Sequence, residues 1–322
     1  MILICAKQDD QHGLRVAHLL RQNHNAEVFI FDTSAFPNSL FLTATFGEGS
    51  NGISLSDHSG GGIDLRRVKS FWCRRPQPMD VDPCITDAQA RSFAYHECVS
   101  ALYGILQCCS GLWVNDLQKD MAADYKPYQL QVASAVGFTV PETLITNSSG
   151  VLLEFWNRHG RSLVYKAFNQ RAVAWRPTRL LREEDLSHLG NLQYAPVIFQ
   201  PLIPGVRDVR VTVIGNQVIA SEFDIENLNG VDYRERMSEI RCRPHQLPAE
   251  LATSINRFMD VLGLEYGGID FRLTPEGRYV FFEINTAGEF LYVEDRTGQP
   301  MAATMAAHLA AGVPARKTQQ TA

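Results

Sequence analysis

The stretch VFFEINTAGEF, residues 280–290, opens like a buried β-strand and then breaks the pattern of one. Glu283 and Asn285 stand two apart among Val280, Phe281, Phe282 and Ile284, so strand periodicity aims both polar groups at one face while Phe282 and Ile284 take the other. Upstream, YGGIDFRLTPEGRYVFFEIN reads as a hairpin in which a Thr-Pro-Glu-Gly turn joins two apolar runs. With Thr274 opposite Gly277, Asp270 faces Phe281 and Gly268 faces Glu283, which leaves Asp270 and Glu283 as diagonal neighbours roughly 7–8 Å apart at the backbone. Asn285 extends the row. Two carboxylates and an amide oxygen backed by apolar side chains are oxygen ligands of the kind Mg²⁺ takes, whereas the same residues on a solvated sheet face would carry no chemistry.

Composition narrows the setting. The chain has 322 residues, 45% hydrophobic and 20% charged, the balance of an ordinary globular protein of two or three lobes. A formal charge of -5 argues against a basic nucleic-acid surface, so no nucleic-acid partner is expected. The start MILICAKQDD lacks a secretory signal and no apolar run reaches bilayer length, so the chain reads as cytoplasmic, without a membrane partner. Seven cysteines, with no C-x-x-C pair and mostly apolar neighbours, read as reduced thiols.

The order of elements points to an α/β protein. ILICA, the amphipathic HGLRVAHLLRQN and AEVFIFD alternate strand, helix, strand, as a parallel unit does. GEGSNG at residues 47–52 matches the dinucleotide pattern, but the strand-like GISLS follows where a helix is required, so it reads as a hairpin turn. VKSFWCRRP, residues 68–76, reads as a strand whose end carries Arg74 and Arg75, either a solvated edge or an anion-binding one. A helix is predicted over 87–109, another over 129–136 closed by Gly137, and a third over AELATSINRFMDVLG closed by Gly263. Lys166 ends the strand-like RSLVYK, a costly place for a lysine unless it meets an anion or water.

Taken in order, Lys126 before a helix, Lys166 on a strand, FQPLI, DVRV and GGIDF paired with FFEIN resemble the ATP-grasp superfamily. FWCRRP, the spacing of Asn115, Lys126, Gln129 and Leu130, DYR at 232–234 and FFEINTAGEFLYVEDRTGQPM resemble, more narrowly, the microviridin-type or graspetide ligases that cyclise ribosomally made peptides. The resemblance runs over nearly the whole chain. It implies an N-terminal parallel α/β pre-ATP-grasp domain over 1–115, a central ATP-grasp lobe over 116–200, a C-terminal lobe with the metal site over 201–314, and a disordered tail over 315–322.

By the same resemblance, ATP lies between the last two lobes, with Lys126 and Lys166 on its phosphates and the adenine at Gln200, Pro201, Leu202 and Ile203. Asp270, Glu283 and Asn285 hold two Mg²⁺ ions, and Arg210, with Lys166, serves catalysis by stabilising anionic transition states. Asp208 is a candidate to hold Arg210 in place. A side-chain carboxylate becomes an acyl phosphate, which a hydroxyl or amine of the same peptide displaces as an ester or amide. The expected partner is a precursor peptide with a leader, met by Asp232 and Arg234 in the polar segment 222–243 and, at the strand end beside a cleft, by Arg74 and Arg75; the resemblance leaves room for a homodimer. Related ligases carry proline after the metal asparagine and glutamine after the glycine, where Thr286 and Glu289 stand here, and Glu289 is expected to add negative charge near the metals. Two alternatives stay open: a ligase joining free amino acids or modifying a protein terminus, and a binding module without turnover. The set Lys126, Lys166, Asp270, Glu283 and Asn285 points away from the second, since a binder has no need of two metals.

Overall fold

The structure is a computed structural model describing residues 1–47, 52–168, 177–225, 237 and 239–314. It begins with the predicted strand, helix and strand: β1 (Ile2–Cys5), α1 (Gln11–His24) and β2 (Val28–Phe31). Asp10 caps α1 by accepting from the Gly13 N–H at 2.7 Å, and Asn25 closes it in the left-handed conformation. An antiparallel sheet follows, made of β3 (Leu40–Thr45), β4 (Gly52–Asp57) and β5 (Gly62–Asp64). β3 and β4 pair from Leu40↔Asp57 to Thr45↔Gly52, so GEGSNG joins two antiparallel strands, its tip at 48–51 lying outside the described residues. β6 (Ser70–Trp72), shorter than the predicted strand, then α2 (Ala88–Gln107) and β7 (Leu112–Val114) complete a parallel sheet in the order β2-β1-β6-β7.

Helices α3 (Leu117–Ala123) and α4 (Lys126–Ala135) come next. Pro127 sits in the first turn of α4, where its missing N–H would have had no helical partner, so it starts the helix at Lys126 instead of excluding that lysine. β8 (Leu144–Thr146), α5 (Ser149–Arg158), β9 (Leu163–Lys166), β10 (Arg179–Leu180) and β11 (Val197–Pro201) build a small antiparallel sheet in the order β10-β9-β11-β8. It has its own core of Leu152, Phe155, Trp156, Leu163 and Phe199.

β12 (Arg207–Ile214) and β13 (Gln217–Asp224) turn through Gly215 at φ 54°, which suits a residue without a Cβ. With β14 (Cys242–His245), α6 (Ala249–Leu262), β15 (Tyr266–Leu273) and β16 (Tyr279–Asn285) they form a sheet in the order β14-β13-β12-β15-β16. Val209, Val211, Ile269, Phe271, Phe281 and Ile284 bury one face of it against α6 and α4. The other face carries the polar row.

The last helices are α7 (Leu291–Thr297) and α8 (Met301–Ala311). α8 returns to the N-terminal sheet, where Met301, Met305 and Leu309 share a core with Ile2, Ile4, Val16 and Trp72, each side chain contributing about 1.5–3 kcal/mol by burial. Among the described residues no helix is long and apolar enough to cross a membrane, and all seven cysteines are free.

His12 ties the first helix to the loop after β16. Its Nε2 accepts from the backbone N–H of Phe290 at 3.0 Å and of Leu291 at 3.2 Å, and the ring is 7% exposed. Burial, and then the positive charge of Arg74, push its pKa down to about 3, with Arg75 and Arg15 acting in the same direction and Glu289 against it. The unfolded chain therefore takes up this proton near pH 6.5 while the folded protein resists it, so stability is full above that pH and is lost as pH falls toward 3. Between pH 7 and 5, where most carboxylates keep their charge, the loss should be on the order of 1–2 kcal/mol in denaturant titrations. His12→Gln, which retains an acceptor for the two N–H groups, should flatten that slope; a slope equal to wild type would rule His12 out as its source.

Candidate active site

The hairpin of β15 and β16 has a different register from the one its turn implies, for a physical reason that preserves the polar row. The Thr274 N–H bonds to the Arg278 carbonyl at 2.9 Å and Leu273 pairs with Tyr279, so the turn holds one residue more, with Gly277 at φ 80°. That slip aims Phe281 at the core opposite Phe271; strict alternation from there would drive Glu283 inward and Ile284 out. A bulge at Phe282 prevents it. Asp270 therefore faces Glu283 directly and Gly268 faces Asn285, while Phe281, not Phe282, joins Ile284 in the core. Phe282 lies instead against the Arg272 guanidinium, 5.2 Å from ring centroid to Cζ.

Five of the predicted residues meet in one network. Arg210 Nη1 donates to both Asp270 oxygens at 3.0 and 2.9 Å, and Lys126 Nζ lies 2.9 Å from Glu283 Oε2. Between the carboxylates, Asn285 Nδ2 reaches Glu283 Oε1 at 3.1 Å and Asp270 Oδ2 at 3.4 Å. Lys126, Arg210 and Glu283 are buried, so each charge has lost water and each is balanced by an opposite one at contact.

Asp208 does not hold Arg210. It is buried and grips Arg272 in a two-pronged pair, Oδ1 to Nε at 2.7 Å and Oδ2 to Nη2 at 2.9 Å. Arg272 also donates to the Ile203 carbonyl at 3.1 Å, and a Cβ at Gly205 would stand 2.4 Å from its Cδ. This pair fastens the end of the 200–205 segment to the C-terminal sheet. Close approach positions Arg210 as well: a Cβ at Gly268 would lie 2.2 Å, and one at Gly288 2.4 Å, from its Nη2. The glycine pair in YGGIDF signals such an approach, since glycine inside a strand marks backbone close to another group.

Other predicted residues lie elsewhere. Lys166 is buried at the end of β9, opposite Ile198 on the small sheet. Gln200 bonds Thr143 Oγ1 at 2.9 Å, Pro201 pairs with Leu163, and the Leu202 N–H bonds the Ser162 carbonyl at 3.0 Å. Asp232 and Arg234 fall outside the described residues, as does most of the 222–243 segment between β13 and β14. Arg74 corrects the expectation of a substrate contact, because it is 1% exposed and faces inward, donating to the Ala287 carbonyl at 2.7 Å beside His12. Burial pushes its pKa down. Arg75 stays half-exposed with Glu289 2.8 Å away, so Glu289 is paired to this arginine and is not directed at the carboxylates.

Two amide side chains hold the strands of this hairpin by their backbone. Gln129 Nε2 donates to the Ile284 carbonyl at 3.0 Å and the Ala123 carbonyl at 2.7 Å, and its Oε1 accepts the Ile284 N–H at 3.1 Å. Ile284 sits between Glu283 and Asn285, so this side chain acts as one residue of a further strand on the outer edge of β16. Asn115 does likewise for β15, accepting the N–H of Glu265 and Tyr266 at 2.9 and 2.8 Å and donating to the carbonyls of Tyr266 and Thr286 at 2.9 and 3.2 Å. The sequence marks both residues only by their spacing from Lys126.

The donor set fits a hard divalent cation: two carboxylates on one sheet face, with an amide whose oxygen would join them after a half-turn of the Asn285 side chain. Two antiparallel lobes with basic groups on both and acidic groups on the second define an ATP-grasp fold, and the chain is a member of the ATP-grasp superfamily. Residues 1–121 match the family described as the MvdD pre-ATP grasp domain. The macrocyclase MdnC of Microcystis aeruginosa MRC, solved with its precursor peptide MdnA, superposes with a TM-score of 0.86 at 28% identity, over 96% of this chain and 98% of that one. The ATP-grasp ligase PsnB, solved with a phosphomimetic variant of a minimal precursor, Mg and ADP, gives 0.77 at 26% identity over 97% and 98%. The alpha-aminoadipate–LysW ligase LysX of Sulfurisphaera tokodaii is 24% identical over 189 residues, a match spanning 55% of this chain and 64% of that protein.

Gln129→Met keeps the volume of the side chain and removes its three hydrogen bonds. Mg²⁺-dependent binding of a non-hydrolysable ATP analogue should weaken about tenfold in calorimetry, alongside a lower melting temperature. Ser70→Ala, which removes a buried hydrogen bond to the Leu309 carbonyl, should lower melting alone. Equal nucleotide affinity in wild type and Gln129→Met would reduce the clamp to a stabilising contact.

Proposed function

We propose that this chain is an ADP-forming ligase that activates a side-chain carboxylate of a ribosomally made precursor peptide and closes an ester or amide crosslink within it. The observation that carries the reading is the network of Lys126, Arg210, Asp270, Glu283 and Asn285, on a fold matched over almost its whole length by a macrocyclase and by a ligase solved with precursor peptides. Asp270, Glu283 and Asn285 would hold Mg²⁺, proposed as two ions, whose positive charge neutralises phosphate oxygens. Lys126 sits on Glu283 here, and its ammonium would leave that carboxylate for a phosphate. Lys166 would meet the phosphates from the small sheet, and residues 200–203 would carry the adenine.

A carboxylate oxygen attacks the γ-phosphorus, the bond to the β-phosphate oxygen breaks, and ADP leaves. A hydroxyl or amine attacks the acyl carbon, gives up its proton, and inorganic phosphate departs. Arg210, fixed by Asp270 and packed between Gly268 and Gly288, would donate to the negative charge that develops in both steps. The peptide leader is proposed to dock along the 222–243 segment, and the site of action to be the cytoplasm. LysX, whose name describes a ligase acting on LysW, supports the second reading, a ligase modifying a protein terminus, but over a shorter stretch.

Glu283→Gln, Asp270→Asn and Asn285→Ala should each abolish nearly all Mg²⁺-dependent ADP release. Glu276→Gln, on the exposed turn of the same hairpin, should leave it unchanged. Near wild-type release from the first three would remove the metal assignment, and AMP with pyrophosphate as products would remove the acyl phosphate.

A further inference from the structure

A cavity of about 990 Å³ opens between the end of β6, the helices α2 and α3, and the loop after β16. Arg75, Pro76, Tyr103, Leu117, Met121 and Ala287 are among its walls. Its size suits several peptide residues or a comparable ligand. Ala287 lines it directly, the next residue, Gly288, packs on the Arg210 guanidinium, and the one after, Glu289, lies 2.8 Å from Arg75 Nη1. The stretch 287–289 thus has the reaction centre on one side and the cavity on the other.

Among the described residues that line the cavity, Arg75 is the one cation and Asp120, which accepts from Asn115 Nδ2 at 3.3 Å, the one carboxylate. A triphosphate would demand more positive charge than that, whereas a single carboxylate matches one guanidinium fork. The side chains of Arg75 and Glu289 are 44% and 48% exposed, so their pair contributes little to stability and is readily exchanged for another carboxylate. The walls suit a peptide: proline, leucine and methionine offer apolar contact. Tyr103 keeps its proton as a donor, because burial pushes its pKa up to about 12.

The geometry points to this cavity as the seat of an extended peptide segment bearing Asp or Glu, with Arg75 receiving a side-chain carboxylate and Glu289 occupying that place until the peptide displaces it. This assignment rests on the carboxylate-activating reading above and names a determinant of its substrate. Glu289 then sets a threshold: only a segment that competes with an attached carboxylate enters.

The probes are the capped tripeptides acetyl-Ala-Glu-Ala-amide and acetyl-Ala-Gln-Ala-amide, titrated by NMR into wild type, Glu289→Gln and Arg75→Gln without nucleotide. Glu289→Gln should bind the Glu peptide about fivefold tighter than wild type does, the factor that removing a competing exposed pair can return. Arg75→Gln should not distinguish the two peptides. Melting temperatures should stay near wild type in both variants, since both residues are half-exposed. Equal binding of the two peptides by Glu289→Gln, or no binding of either, overturns the assignment. Binding of Mg²⁺ and a non-hydrolysable ATP analogue to the same samples is read separately: its loss in wild type would count against the ligase reading, while its persistence beside an absent Glu preference would count against this subsite alone.

Discussion

Two carboxylates directly opposite each other on neighbouring strands repel, and almost everything about this site answers that repulsion. Asp270 and Glu283 share a sheet face with little water to screen them, so the fold supplies a cation to each, Arg210 from the strand beside Asp270 and Lys126 from the helix across the sheet edge. The amide of Asn285 donates to both. Like charges directly opposite on a sheet are destabilising, and the arrangement is kept only because compensation is at contact distance. Compensation of this kind is what a divalent cation also supplies to paired carboxylates.

The helix that carries Lys126 does more than deliver charge. Gln129, one turn further along α4, grips both backbone groups of Ile284, so the side chain that balances Glu283 and the side chain that fixes the strand beneath it belong to one rigid element. Movement of α4 cannot change the position of the ammonium without also acting on β16. Asn115 and the glycines at 268 and 288 complete this arrangement, the first holding backbone and the others allowing Arg210 to lie flat against it. Precision at the site therefore comes from backbone contacts made by uncharged residues.

The sequence made the alternation of strands and helices, the hairpin, and the residues of the polar row legible, because each rests on local periodicity or turn chemistry. Register was less so. The turn added a residue at Gly277 and the strand another at Phe282, and these two slips sum to one strand period, so Glu283 and Asn285 kept their face while the pairing moved. No local signal separates Phe281 from Phe282; only the tertiary demand for an aromatic against Phe138 and Phe258 decides which goes inside. The partners of the arginines were equally hidden. Asp208 and Arg210 are near neighbours in sequence, yet same-face contacts across the strands send Asp208 to Arg272 and Arg210 to Asp270, and Arg74, which ends a strand like any surface arginine, turns inward to a carbonyl.

The return of α8 to the first sheet bears on how the chain is made. Ile2, Ile4, Val16 and Trp72 are made well before the side chains that cover them, Met301, Met305 and Leu309. Until then that face of the sheet is covered only in part, by α1, and its uncovered apolar surface is one on which nascent chains aggregate or recruit chaperones. The closing contacts join segments far apart in sequence, so the loop-closure entropy they must overcome is large. Full cover of the N-terminal sheet waits for α8.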